Sequence, residues 1–226
     1  HLKAARYYTK ADRFKRHRDA SKAAFHYFCS GKIKDSIEEL RLSAEVLLAD
    51  FRYHLHIGRS QMLMDMLNKY EAIHNDDEYL GDAELTFDNQ LWSLICLAQG
   101  DAYTFLQNDE QAKLSYQKVV ELLNTSNLSP IQQEMKARAY IGLAIHLKDR
   151  MPSEAIHYLN QALDKLDQLE QKTKIELSIW IGVTQLRQRQ FDDALKTLQK
   201  ASIEVQQMPN GSISNRLRFL VELNIG

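Results

Sequence analysis

A glycine followed 12 or 13 positions later by an alanine is the feature that most limits the fold of this chain. It occurs three times, in the pairs Gly100/Ala112, Gly142/Ala155 and Gly182/Ala194, and successive glycines are 42 and 40 residues apart. After each alanine, apolar side chains follow one and two helical turns later and keep one helix face apolar: Tyr116 and Val119, Leu159 and Ala162, Leu198 and Ala201. Short polar stretches lie between the glycine and the alanine, QND at 107–109, KDRMPS at 148–153 and RQRQ at 187–190, so each unit predicts two antiparallel helices joined by a short turn.

The small residues of this pattern have a physical role at helix crossings. A large side chain at the closest approach of two helices would push their axes apart, so glycine and alanine are expected there. One helix pair cannot bury its apolar face alone, whereas stacked pairs can, and a repeat of this length therefore predicts an array of stacked hairpins. The whole chain contains eight glycines and three prolines, which favours long helices over a turn-rich β fold.

The spacing of small and aromatic positions resembles the tetratricopeptide repeat (TPR). This resemblance implies an all-α fold, a right-handed α-α superhelix of TPR-like helix pairs. The intervals of 42 and 40 residues exceed the usual period of about 34. We therefore expect longer helices or longer connections than in a consensus repeat.

We predict a division into an N-terminal helical segment with degenerate repeats, 1–90, and a segment of TPR-like repeats, 91–226. In the first segment Ala24 takes the glycine place, and Ser36 takes the alanine place 12 positions later. A helix pair outside the repeat register is expected over 56–74. The Asn210-Gly211 turn is expected to begin a further repeat that is truncated, because we interpret the chain as a fragment of a longer protein.

The N-terminal forty residues carry a second resemblance. An Ala- and Tyr-rich helix precedes the segment "AFHYFCSG", Ala24 to Gly31. This order is similar to the junction before the helical-repeat sensor arm of STAND-class signalling ATPases, a class that includes the bacterial activator of the maltose regulon. The resemblance implies a sensor arm in a regulator of signalling or transcription. The phosphate-binding pattern G-x-x-x-x-G-K-[ST] does not occur, so we expect no nucleotide site in this chain.

Charge and cysteine content restrict the possible partners and the cellular compartment of the chain. The net charge is -1, which predicts no general attraction to nucleic acid or to anionic membranes. The two cysteines, Cys29 and Cys96, lie in apolar helical patterns, which favours free thiols in a reducing, cytoplasmic compartment. No apolar run approaches 18 residues, so no membrane partner is expected.

Catalytic and metal-binding patterns are weak. His17, His26 and Cys29 lie close in sequence, and His54 and His56 form a second group, but neither group supplies four ligands at a spacing suited to zinc. The acids between residues 71 and 88 are expected to be solvated rather than to form an acid–base pair. We predict no enzymatic activity, no cofactor and no metal.

The first helix of each TPR pair usually lines the concave surface and carries the partner contacts. Counting from the aligned glycines gives ten candidate groove residues: Leu94, Leu97, Asp101, Thr104, Lys136, Ala139, His146, Glu176, Ile179 and Val183. Leu97 and Asp101 stand where chaperone-tail-binding TPR domains have Lys and Asn, so that function is not expected. The remaining lining is mixed and partly apolar, which suits an amphipathic helix or another protein surface. Its apolar members could equally form the core between repeats.

We expect a non-enzymatic interaction or sensor domain whose partners are proteins, peptides or neighbouring domains of a longer chain. One alternative is a peptide sensor of the quorum-sensing type, which needs side-chain amides to hold the peptide backbone. Another is a nucleic-acid-binding helical repeat that uses the basic stretch 3–22, where aromatic residues alternate with cations. We favour the simpler interpretation of that stretch as a solvated helix face.

Overall fold

The computed structural model describes residues 1–9, 20–32, 34–36, 38–39, 42, 89–164 and 169–225, and all regular structure within these ranges is helical. Within residues 1–29 and within residues 109–225, helices that follow one another in the chain pack against each other. The all-α prediction is therefore confirmed for the described residues. The helices are α1 (Leu2–Thr9), α2 (Ala20–Cys29), α3 (Asn89–Phe105), α4 (Asp109–Leu122), α5 (Pro130–Leu147), α6 (Pro152–Leu163), α7 (Gln171–Arg187), α8 (Phe191–Gln206) and α9 (Ser212–Ile225).

The chain divides into two compact units, His1–Leu106 and Gln107–Gly226. This boundary lies in the turn between α3 and α4, whereas the sequence placed it at residue 90. Helix α3, which carries Gly100, thus belongs to the first unit. The predicted helix pair over 56–74 lies outside the described residues.

In the first unit, α1 packs against α2, and the degenerate repeat has the predicted close contact. The hydroxyl of Ser36 donates a hydrogen bond to the carbonyl oxygen of Ala24 at 2.6 Å, and both residues are fully buried. Small side chains at these two positions allow the backbone of one segment to approach the other. The contact confirms that Ala24 and Ser36 are neighbours.

In the second unit, each helix from α4 to α9 packs against the next one in the chain. In addition, α5 packs against α7, and α7 packs against α9, so the first helices of successive pairs lie side by side. Two apolar clusters fill the spaces between them. One joins α5, α6 and α7, with Tyr140, Leu159 and Leu177, and the other joins α7, α8 and α9, with Ile179 and Leu198.

Three turns share a left-handed residue. Gly31 has φ 72°, Gln107 has φ 57° and Arg189 has φ 63°. Each stands five positions before the small residue of the following helix, namely Ser36, Ala112 and Ala194. After α7, the amide of Gln190 donates to the carbonyl of Gln185 at 2.9 Å, which closes the helix end by the Schellman arrangement. The α5–α6 turn is one residue longer and has no left-handed residue, in line with its predicted extra residue.

Side chains fix where α5 and α7 begin. Ser129 and Gln132 form a capping box at the start of α5, which has Pro130 in its first turn. At α7 the capping group comes from another helix. Glu134 of α5 accepts a hydrogen bond from the backbone amide of Glu170 at 3.0 Å and another from the hydroxyl of Thr173. A carboxylate at a helix N-terminus satisfies free amides and opposes the positive end of the helix dipole.

The repeated glycines lie against different neighbours. A Cβ added at Gly182 would lie 2.7 Å from Cγ of Leu198 and 3.4 Å from the carbonyl oxygen of Ala194, which confirms the predicted approach of Gly182 and Ala194. A Cβ added at Gly142 would lie 2.5 Å from the ring of Tyr116 in the preceding helix α4.

The atoms nearest to the Cβ added at Gly142 all belong to Tyr116 of α4, a contact that the sequence pattern did not predict. The predicted approach of Gly142 and Ala155 stays a prediction. The α5 side chains that share a cluster with Ala155 are Ala137, Tyr140, Ile141, Ala144 and Leu147, on another face of the helix. The two glycines occupy equal positions in the sequence pattern, and the atoms nearest to the added Cβ come from the preceding helix at Gly142 and from the following helix at Gly182. The pair Gly100/Ala112 belongs to two different units and stays a prediction.

Candidate functional site

The four groove candidates of α3 lie in the first unit. Leu97 is buried, with 1% of its side chain exposed, and Leu94, Asp101 and Thr104 are partly buried. The hydroxyl of Thr104 donates to the carbonyl of Gly100 at 2.8 Å, a local bond within the helix. Leu97 is thus a core residue, since its side chain faces the packed interior.

In the second unit, three groove candidates are also core residues. Ala139 and Ile179 are fully buried, and Val183 is 4% exposed. Ile179 and Val183 belong to the apolar cluster between α7, α8 and α9. The groove assignment is therefore corrected for these residues: neighbouring helices cover them, as the core interpretation of the sequence allowed.

His146 is a structural contact between α4 and α5. Its side chain is 5% exposed, and its Nδ1 lies 3.0 Å from Oδ1 of Asp109. Burial lowers the pKa of His146, whereas the charge and the hydrogen bond of Asp109 raise it, and Lys148 and Lys113 lower it further. The net shift is downward, so near neutral pH the ring is uncharged, and its Nδ1–H donates to the carboxylate. His146 is thus used for packing and does not line an open groove.

The two charged candidates also contact neighbouring helices. Lys136 donates from Nζ to the carbonyl of Leu123 at 3.0 Å, which ties α5 to the end of α4. Glu176 of α7 lies 3.5 Å from Nη2 of Arg216 in α9. Both residues stabilise the packing between helices. Lys136 also lines a cavity beside α5, and the other nine candidates are not among the lining residues of that cavity.

This cavity is the candidate binding site of the second unit. It has a volume of about 330 Å³ and lies between the α4–α5 connection, α5 and the C-terminal turn of α6. Leu128, Ala137 and Ala162 supply apolar surface. The polar lining includes Ser126, Gln133, Lys136, Tyr140, Gln161 and Asp164. Known ligand pockets begin at about 300 Å³ and combine apolar walls with a few polar groups, as this cavity does.

Side-chain hydrogen bonds hold the cavity wall in place. The amide nitrogen of Gln133 donates to the carbonyl of Leu128 at 3.0 Å, and Lys136 holds the end of α4. The carbonyl oxygen of the Gln133 side chain is buried and has no partner. Burying an acceptor without a donor is unfavourable, so a rearrangement that brings an N–H group to this oxygen would lower the free energy.

The tyrosine in the cavity is a neutral hydrogen-bonding group. The Tyr140 ring stacks on Tyr158 of α6 with centroids 5.8 Å apart. Burial raises the pKa of Tyr140, and the proximity of Tyr158 raises it further. The phenol therefore stays protonated at neutral pH and does not act as a general base. With two amides, a phenol, a cation and a carboxylate around apolar surface, the site is suited to binding a polypeptide segment.

The described residues supply no metal site. They contain no group of three or more His, Cys, Asp or Glu side chains placed to hold an ion. Cys29 is exposed and Cys96 is buried, and both are free thiols. His17, His54, His56, the acidic segment 71–88 and residues 10–19 of the basic stretch lie outside the described residues, so the predictions made for them stay as they were.

Sequence reasoning missed the cavity because its walls come from segments that are separated in the chain. The pair Gln133 and Gln161 is not distinguishable from other glutamines until α5 and α6 are packed. The capping signal at Ser129 and Pro130 was the one available clue, since it fixes where the α4–α5 connection ends.

Within the part of the chain that the structure describes, no helix has both the length and the apolar character needed to span a bilayer. Comparisons of the chain with protein-family models, with curated proteins and with solved structures found no match. The functional interpretation therefore depends on the packing and the cavity described above.

Proposed function

We propose that this chain is a non-enzymatic protein-interaction domain, a right-handed superhelix of TPR-like helix pairs that binds a polypeptide segment. The supporting observation is the side-by-side packing of α5, α7 and α9, with each intervening helix packed on its neighbours in the chain. Stacked helix pairs of this kind present extended surfaces and are used mostly for recognition. A cytoplasmic location is part of the same proposal.

The cavity beside α5 is the proposed binding site. The side-chain oxygens of Gln133 and Gln161 can accept from the N–H groups of an extended peptide backbone, and Leu128 offers apolar contact to a side chain. The amide nitrogens already contact the carbonyl of Leu128 and the ring of His157. The unpartnered oxygen of Gln133 would receive a peptide N–H group after a small rearrangement. These amides also favour the peptide-sensor alternative, because they are the groups that the groove residues chosen from the sequence lacked.

The experiment is a selection of random displayed peptides on the immobilised full chain, followed by fluorescence anisotropy with each enriched peptide in solution. The decisive variant is Ser126→Trp, which places a large ring at the cavity wall from an exposed loop position. We expect this variant to weaken binding by about tenfold or more, which corresponds to about 1.4 kcal/mol.

The matched control is Ser153→Trp, which adds the same ring at an exposed serine of α6 that is not among the cavity-lining residues. We expect its affinity for the peptides to equal that of the unmodified chain. If no selected peptide binds, or if both tryptophan variants bind as the unmodified chain does, the cavity is not the binding site.

We further propose that the domain serves as the sensor arm of a larger regulatory protein of the STAND type. The N-terminal sequence resemblance supports this role, and the packing of Ala24 with Ser36 is in line with a helical hairpin at that junction. The test is to examine the sequence of the full-length protein upstream of this domain. We expect a nucleotide-binding module there, and its absence would contradict the STAND-type role and leave the role of a general adaptor.

A further inference from the structure

The glutamines in the wall of the cavity beside α5 already use their donor groups. The side-chain nitrogen of Gln133 donates to the carbonyl of Leu128 at 3.0 Å, and that of Gln161 lies 3.0 Å from Nε2 of His157. The side-chain oxygen of Gln133 is buried without a donor. An amide whose nitrogen is engaged offers its oxygen, so both glutamines present acceptors to a ligand.

A third acceptor stands at the end of α6. Asp164 directly follows the last residue of this helix and keeps a helical backbone, with φ -58° and ψ -18°. It therefore lies one turn beyond Gln161 on the same side, and both residues line the cavity. The Asp164 side chain is exposed, and among the described side chains no cation forms an ion pair with it. We call Gln161 and Asp164 the acceptor pair.

The electrostatic balance of the described cavity wall is negative. A carboxylate at the C-terminal end of α6 adds to the negative end of the helix dipole, a placement that is unfavourable for the helix itself. The cation of the described lining, Lys136, donates to the carbonyl of Leu123 at 3.0 Å and so faces the negative end of α4. With about half a negative charge at each helix end, the two ends and Asp164 outweigh Lys136 by about one unit of charge.

Acceptors and an excess of negative charge together select a ligand that has many donors and a positive charge. A guanidinium group has five N–H donors in one plane and binds a carboxylate through two parallel hydrogen bonds. Its aliphatic stem would lie on the apolar surface of Leu128 and Ala162. An acidic side chain would instead bring further acceptors to the carboxylate of Asp164 and would be repelled by it.

We propose that the cavity binds an arginine side chain of the polypeptide, with its guanidinium group on the acceptor pair. The oxygen of Gln133 stays available for a backbone N–H group of the same segment. This specificity rests on the proposed function in that the arginine belongs to a polypeptide, but a dipeptide is sufficient to test the charge.

The probe is the dipeptide acetyl-Leu-Arg-amide. It is compared with acetyl-Leu-citrulline-amide, in which a neutral urea group of similar shape replaces the guanidinium. Two-dimensional NMR of the full chain, labelled with nitrogen-15, follows the backbone amide of Asp164 and the side-chain amides of Gln133 and Gln161. We expect saturable shifts with the arginine dipeptide and an affinity at least about fivefold weaker for the citrulline dipeptide.

The decisive variant is Asp164→Asn, which removes the charge and keeps the size of the side chain. It should weaken binding of the arginine dipeptide about fivefold and leave the citrulline dipeptide nearly unaffected, so the preference between them should disappear. The matched control is Asp192→Asn, at an exposed aspartate of α8 that is not among the cavity-lining residues, and it should keep the preference. Both aspartates are exposed, so the fold should tolerate both changes.

Three results would overturn the proposal: no saturable shift at dipeptide concentrations up to about 10 mM, equal affinity for the two dipeptides, or a preference that survives Asp164→Asn. The selection of displayed peptides separates this proposal from the proposed function. Selected peptides that are sensitive to Ser126→Trp but lack arginine and bind Asp164→Asn unchanged would support the binding site and reject the arginine specificity. A dipeptide preference that depends on Asp164, with no peptide selected, would support the specificity and reject polypeptide binding.

Discussion

At the scale of single residues, the repeated glycines show that one sequence pattern serves two kinds of contact. Gly182 allows Leu198 of the following helix to approach, whereas Gly142 allows Tyr116 of the preceding helix to approach. Both neighbours are buried, with 3% of Tyr116 and 1% of Leu198 exposed. The need for glycine is thus a matter of space and not of backbone conformation.

Replacing either glycine by alanine is expected to destabilise the protein. The new methyl group would lie 2.5 Å from the Tyr116 ring at position 142 and 2.7 Å from Leu198 at position 182, so the buried side chain or the helix that carries it must shift. Overpacking costs about 1–3 kcal/mol, which exceeds the gain of up to about 1 kcal/mol in helix propensity. Urea unfolding of Gly142→Ala and Gly182→Ala measures the difference.

Gly211 provides the control for this comparison. A Cβ added there meets nothing within 4 Å, so Gly211→Ala should leave the free energy of unfolding nearly unchanged. A loss of stability in Gly211→Ala as large as in the other two would show that the close contacts are not the cause.

His146 predicts a pH dependence of stability. Burial lowers its pKa in the folded state, while in the unfolded chain the pKa is about 6.5. Above about pH 6.5 both states are neutral, and His146 gives no pH dependence. As the pH falls below that value the unfolded state binds the proton more readily, so the free energy of unfolding falls until the pH passes the folded pKa.

The measurement is urea unfolding at pH 7.5 and pH 5.5 for the chain and for His146→Gln. The variant should lose less stability between the two pH values, because its side chain does not titrate. Asp109→Asn removes the partner that raises the pKa of His146, so it should steepen the loss at low pH. Identical pH profiles for all three proteins would contradict the assignment.

At the scale of elements, three of the turns between helices share one backbone conformation. Gly31, Gln107 and Arg189 adopt the same left-handed conformation at the same distance before a small residue. Glycine takes this conformation without strain, whereas a residue with a Cβ is disfavoured there by about 1–2 kcal/mol. Two of these three turns therefore carry a strained side chain.

Arg189→Gly is expected to stabilise the second unit by about 0.5–1 kcal/mol, because relief of the strain exceeds the entropy that glycine gains in the unfolded state. Arg189 is exposed, so little packing is lost. The reverse change, Gly31→Ala, should destabilise the first unit although nothing lies within 4 Å of the new methyl group. Thermal unfolding compares the two, and a lower Tm for Arg189→Gly would contradict this account of the turn.

Sequence alone predicted which elements form, because local spacing encodes them. It predicted the helical hairpins, the longer α5–α6 turn and the contacts of Ala24 with Ser36 and of Gly182 with Ala194. It did not predict which face of α5 or of α7 packs against the neighbouring helices, since a rotation of a helix about its axis leaves the sequence spacing unchanged. Ala139 of α5 and Ile179 and Val183 of α7 were therefore predicted to line a groove, and the structure shows that they are buried.

At the scale of the whole molecule, the second unit has the apolar clusters that an independent domain needs. Residues of α5 to α9 form two clusters that both include Trp180 at their margins, so the hairpins share side chains rather than packing as separate pairs. We expect the fragment 107–226 to fold alone. Its far-ultraviolet circular dichroism spectrum should be typical of α-helices, and its urea unfolding transition should be cooperative. A collapsed state without fixed packing would also give a helical spectrum, but its transition would be broad.

A shorter fragment, 148–226, is the comparison. It lacks α5 and thus the side chains of Tyr140, Ile141 and Ala144, so the first cluster loses one of its walls. We expect a broad transition of low cooperativity. If this fragment unfolds as sharply as 107–226 does, the cluster between α5 and α6 contributes little to folding.

The carboxylate of Glu134 has a consequence for any attempt to exchange repeats with other proteins. Because this group belongs to α5, a hairpin transplanted without its predecessor would leave the backbone amide of Glu170 and the hydroxyl of Thr173 without their acceptor. The α7–α8 hairpin is thus coupled to the helix pair before it, and a transplant of this hairpin would need a new acceptor at the start of α7.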